Sequence, residues 1–95
     1  MPEMRFFIRW PDGAEEACYS PSLVIKDYFT PGESYALADF LERSRTALTI
    51  ASDRVRAKYG FACSRALGQL ARIEAAARRF AEMPEPRVTI AAFEE

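Results

Sequence analysis

The chain has no histidine and only two cysteines among its 95 residues. Without an imidazole there is no histidine general base, no Ser-His or Cys-His nucleophile pair and no histidine metal ligand. Two cysteines alone do not make a four-ligand zinc site, so no metal centre and no cofactor is expected. Cys18 and Cys63 allow at most one bridge, far from the disulfide density of small secreted scaffolds, and two reduced thiols are the expectation. The four glycines stand isolated at positions 13, 32, 60 and 68, which excludes a glycine-rich phosphate loop. No run approaches the roughly 20 apolar residues of a membrane span, and the opening MPEMRFFIRW has an early acid and no signal-peptide core, so a cytoplasmic chain is expected. Internal repeats and low-complexity tracts are also absent.

What is present suits one small packed domain over residues 1–95. Hydrophobic residues make up 49% and aromatics 13%, enough to form a core. A lone domain of this size is stable with little margin, and this gives weight to a homodimer. Net charge is −1, but it is unevenly spread. Between Glu42 and Arg79 nine cations face three acids, a local balance of +6 that leaves −7 elsewhere. Such asymmetry implies a basic helical face and acidic ends.

Thr46 to Ala66 organises the rest. Small or apolar residues recur at Leu37, Leu41, Ser44, Leu48, Ala51 and Val55, then at Cys63, Ala66, Leu70, Ile73, Ala77 and Phe80, in steps of three and four. The short link Tyr59-Gly60-Phe61 folds two helices into an antiparallel hairpin. Gly60 takes the left-handed conformation after the first helix, and Lys58 complements its negative end. The second helix is expected from Ala62 to about Glu82, stopped by Pro84 and Pro86. Gly68 within it costs up to about 1 kcal/mol against alanine, a cost explained if a neighbouring backbone comes very close.

Upstream, Met4, Phe6, Ile8 and Trp10 alternate with Arg5, Phe7 and Arg9 as a strand. Pro11-Asp12-Gly13 then makes a turn, and a hairpin register follows with Arg9 opposite Glu15, Phe6 opposite Cys18 and Arg5 near Tyr19. Ser20-Pro21 reads as the cap and first position of a short helix over Leu23 to Phe29, although Leu23-Val24-Ile25 also suits extended chain. Thr30 to Glu33 is a turn or a capping box, and Ser34 or Asp39 caps the long helix. Arg87 to Phe93 is a last strand, with Val88, Ile90 and Ala92 on one face and Thr89, Ala91 and Phe93 on the other. Apolar residues on both faces place it centrally or at a subunit contact. The fold expected is α+β: an N-terminal β-hairpin, a short helix, a long helical hairpin and a strand completing a small mostly antiparallel sheet.

Helical spacing brings Arg43, Arg54 and Lys58 near one another, with Arg45 and Arg56 further around. This is the candidate partner or ligand surface. Nucleic acid is disfavoured because the chain is slightly acidic and no exposed aromatic is expected among these cations. Cys63 near a helix start, with Arg65 close by, is the candidate reactive thiol, against the plainer reading of a small side chain in a dry helix seam. Glu33, Asp39 and Glu42 are accounted for as caps, and Tyr19, Tyr28, Tyr35, Tyr59 and Trp10 as core and interface area.

The strings MRFFIRWPDG, CYSPSLVIKDYFTPGESY and especially RSRTALTIASDRVRAKYGFACSRALGQL, through the closing VTIAAFEE, resemble a small bacterial nitrogen starvation response family encoded in nitrilase gene clusters. Such clusters also encode a nitrilase, a radical S-adenosylmethionine protein, an acetyltransferase-like protein and a flavin-dependent oxidoreductase. The resemblance carries no catalytic motif. It implies an accessory or regulatory protein of nitrogen or nitrile assimilation, whose partners include other products of the cluster.

Overall fold

The computed structural model describes residues 3–95. In chain order the elements are β1 (Met4–Arg9), β2 (Glu15–Ser20), α1 (Ile25–Tyr28), β3 (Ser34–Ala36), α2 (Leu37–Tyr59), α3 (Ser64–Ala77), a 3-10 turn (Arg78–Phe80) and β4 (Arg87–Glu94). The four strands form one sheet in the order β2-β1-β4-β3, every neighbouring pair antiparallel. The architecture is α+β, as the pattern of elements implies.

The first hairpin has the expected register, with Arg9 opposite Glu15, Phe6 opposite Cys18 and Arg5 opposite Tyr19. Its turn forms from the residues singled out for it. Gly13 has φ +90°, the Ala14 amide donates to Asp12 Oδ1 at 3.0 Å, and Trp10 donates to the Ala14 carbonyl at 2.8 Å. Met4, Phe6, Ile8 and Trp10 are all buried. They meet Phe40, Leu48 and Ala51 of α2 and Ile73 of α3 in one hydrophobic core. Trp10 lies between Phe40, edge-on at 5.7 Å, and Phe80, stacked at 5.7 Å, while its indole N–H donates to Glu16.

The chain from residue 20 to 38 departs from expectation. Ser20 belongs to β2, and its hydroxyl makes a local turn by bonding the Ser22 amide and carbonyl, so it caps no helix. α1 is a single turn, because Val24 and Ile25 are already committed to the core. Thr30 to Glu33 is a turn closed by the Glu33 amide on the Thr30 carbonyl, with Gly32 at φ +88°. It leads into β3, a strand too short to show an alternating pattern. Neither Ser34 nor Asp39 caps α2. Ala36 precedes the helix, and the Leu37 amide donates to the Pro86 carbonyl at 2.9 Å, so the approach to β4 takes the place of a side-chain cap.

β4 is central, between β1 and β3. Its expected alternation breaks at a β-bulge: Phe7 faces Ala92 and Ile8 faces Ile90, which leaves Ala91 unpaired. The parity change brings Phe93 opposite Phe6 and against the core, in place of Ala92.

α3 begins two residues later than expected and its regular turns end at Ala77, with the 3-10 turn completing the segment. Nothing lies within 4 Å of where a Cβ on Gly68 would stand, so close packing within the chain does not explain that glycine. Each edge strand is held by a side chain at one residue. The Tyr19 amide of β2 donates to Gln69 Oε1 of α3 at 3.0 Å, and the Arg87 guanidinium reaches the Ser34 carbonyl and hydroxyl of β3, each at 3.0 Å.

Candidate functional site

α2 is 23 residues long, about 34 Å, and accounts for most of the 42 Å long axis of a molecule only 22 and 17 Å across. Its first four turns pack on the sheet and α3. Its last two, Asp53 to Tyr59, are exposed at every position but Val55, because α3 starts only at Ser64 and the returning loop is too short to cover them. Gly60 ends the helix at φ +86°, its amide bonded to the Arg56 carbonyl, and turns Phe61 outward. The result is a projecting tip. Tyr59 is 54% and Phe61 67% exposed, their rings 6.5 Å apart, and the exposed Leu67 lies on the first turns of α3.

The candidate cations do not form one patch. Arg43 is about 16 Å along the helix from Arg54 and is held in the body. It pairs with Asp39 at 3.0 Å, donates to the Tyr28 carbonyl at 2.7 Å and lies over the Tyr35 ring. Arg54 is tethered by Nη1 to Ser22 Oγ at 2.8 Å. Arg56 and Lys58 have no carboxylate partner among the described residues, and the Lys58 ammonium lies 5.5 Å from the centre of the Tyr59 ring. Arg56 and Lys58 thus belong to the last turn of α2 beside the tip, Arg54 is held back one turn earlier by Ser22, and Arg43 lies in the body. Arg45, further round, pairs with Glu74.

The exposed aromatics overturn one expectation. The sequence pattern implies no exposed ring among these cations, with Tyr59 assigned to core and interface area and Phe61 to the short link between the helices. The distinguishing signal was the spacing of the seam itself. Its last strong apolar position in α2 is Val55 and the next is Cys63, so nothing across the link was available to cover the rings.

Cys63 also departs from the dry-seam reading. It precedes the first turn of α3 in extended conformation, its amide donates to Ser52 Oγ at 3.2 Å, and it is half-buried, not sealed. With Glu3, Tyr19, Pro21, Val55 and Tyr59 it lines an open hollow of about 210 Å³. The Arg65 guanidinium stacks on the Tyr19 ring at 3.9 Å and lies 4.0 Å from the Glu3 carboxylate. The Tyr19 phenol holds its proton above its ordinary range, first through burial and then through the neighbouring Glu3 carboxylate. Seam positions are instead filled by Ala66, Gln69, Ile73 and Ala77. Cys18, by contrast, is buried opposite Phe6, and burial drives its pKa far up. The two thiols are free.

Trp10 is core and Tyr28 and Tyr35 pack against it, while Tyr59 is surface. A second concavity, an apolar groove of about 430 Å³, lies between Leu37, Ala38 and Leu41 on α2 and Ala81 and Pro86 before β4. Among the described residues no cluster of three or more candidate ligands suits a metal ion. No helix among the described residues is long and apolar enough to cross a membrane.

The family model described as nitrogen starvation-induced protein NitG matches residues 5–93 of the chain. No curated protein matches it, and no solved structure does.

Proposed function

Because the chain belongs to the nitrogen starvation-induced NitG family, we propose that it is a non-catalytic accessory protein of the nitrogen starvation response. It works in the cytoplasm by docking other proteins, among them products of the nitrilase gene cluster. One observation carries this reading: Tyr59 and Phe61 stand exposed at the end of a projecting helical hairpin, with Arg54, Arg56 and Lys58 on the last two turns of the helix that leads to them. A folded chain gains nothing by leaving two rings in water. Aromatic and arginine side chains are also the ones over-represented where protein interfaces concentrate their binding energy. Affinity capture from nitrogen-starved cells tests it, comparing the natural chain with an Arg54→Glu/Arg56→Glu/Lys58→Glu variant. A pathway protein bound by the first and lost by the second supports the reading. Full retention by the variant removes the tip from it.

A second reading has its own observation. The half-buried Cys63 opens on a hollow beside Glu3 and Tyr19, a place where a small molecule could meet a thiol. Retention of function by Cys63→Ala would dismiss it. The homodimer expected from chain size is assigned to the outer face of the sheet. That face carries no helix, and Phe7 stands there between Ala17 and Ala92. Sedimentation of the chain and of Phe7→Glu decides this: a dimer that the variant splits supports it, and a monomer in both refutes it.

A further inference from the structure

We infer that the hairpin tip inserts its rings into an apolar pocket rimmed by carboxylates on a partner protein. This rests on the docking reading above and specifies what the tip recognises. Between Arg54 and Arg65 the sequence carries four cations and no acid, so a net of −1 for the whole chain leaves −5 for everything else. On the body of α2, cations are neutralised at home, Arg43 by Asp39 and Arg45 by Glu74. At the tip, Arg56 and Lys58 have no such partner among the described residues. They are the cations on the same turn as an exposed ring, and both are available to a carboxylate from outside.

The shape of the tip separates the candidates. A second copy related by a two-fold axis through this end would set Arg56 and Lys58 against their own equivalents, which like-charge repulsion opposes. A lipid surface is a poor fit because the last two turns of α2 carry Asp53, Arg54, Arg56 and Lys58 around a single narrow line of Val55 and Tyr59, and two exposed rings alone bury little area in a headgroup layer. Nucleic acid would need open ring faces along a basic groove, whereas Lys58 occupies one side of Tyr59. A protein pocket buries Phe61 and the open side of Tyr59, and its acidic rim meets Arg56 and Lys58. Such an arrangement gives orientation and fast association together.

The test places a photoreactive benzophenone side chain at position 61, whose 67% exposure tolerates it without disturbing the core. The full-length chain is irradiated in nitrogen-starved cells, and the adduct is identified by mass. The expected adduct is with a protein, at an apolar site flanked by Asp or Glu. The purified pair should then lose about tenfold in affinity on Arg56→Glu/Lys58→Glu and by a similar factor on raising salt from low to physiological strength. An adduct with phospholipid, with nuclease-sensitive material or with a second copy of this chain overturns the inference. A protein adduct at a neutral or basic surface, with salt-insensitive binding, overturns the acidic pocket and leaves the docking reading standing. No adduct at all contradicts both.

Discussion

Cys18 and Cys63 have the same chemistry in different surroundings. Iodoacetamide near neutral pH should label Cys63 in the folded chain and leave Cys18 untouched until unfolding; equal labelling of both would contradict the placement of Cys18 opposite Phe6. Cys18 also sets a pH dependence. Burial holds its proton in the folded state well above the ordinary thiol pKa of about 8.5. Above that pH the unfolded chain releases a proton that the folded chain keeps, so stability should fall as pH rises from about 8.5 towards 10. In Cys18→Ala that part of the slope should vanish, whatever the cavity costs. A third residue gives the opposite sign of effect. Gly68 is helical and open to solvent, so Gly68→Ala should stabilise by up to about 1 kcal/mol. For a domain of this size that corresponds to a rise in Tm of up to about 4–8 °C. A fall would mean that Gly68 has a neighbour the chain itself does not provide.

Among the elements, α3 contributes more than a helix seam. Gln69, a polar residue three positions after Ala66 and four before Ile73, is 1% exposed and accepts the Tyr19 amide from the edge of β2. Gln69→Leu keeps the volume but strands that amide. The loss should be about 1 kcal/mol, the lower end of the range for an orphaned buried donor, because the unpartnered Gln69 Nε2 goes with it. Amide exchange at Tyr19 should quicken most. The first hairpin and the helix pair were legible in the sequence because their signals are local: strict alternation into Pro11-Asp12-Gly13, and a three-four seam broken by Gly60. β3 was not, since three residues cannot show a period and its pairing comes from β4, more than fifty residues away. Nor was the bulge at Ala91, because only the register against β1 reveals which of two small residues is unpaired. The candidate site was half legible. The cations were visible and the rings were misread, because whether an aromatic beside a turn is covered depends on where the next helix starts.

At the scale of the whole molecule, charge and shape are distributed together. The body is a sheet covered on one face by helices, and Arg9, Lys26, Arg43 and Arg45 among its cations are paired with carboxylates. The tip projects along the 42 Å axis with unpaired cations and uncovered rings. Removing those rings should cost the fold little: Tyr59→Ser/Phe61→Ser should shift unfolding by no more than about 0.5 kcal/mol per site, the usual range for exposed positions. A lesion in this variant that Phe61→Ser alone reproduces is therefore a lesion in contact, because Phe61, unlike Tyr59, does not line the Cys63 hollow. The decisive measurement is growth on a poor nitrogen source of cells lacking this chain, supplied with one of two variants at matched abundance. The docking account predicts that Cys63→Ala restores growth and Tyr59→Ser/Phe61→Ser does not. Growth restored by the tip variant and lost with Cys63→Ala would contradict it.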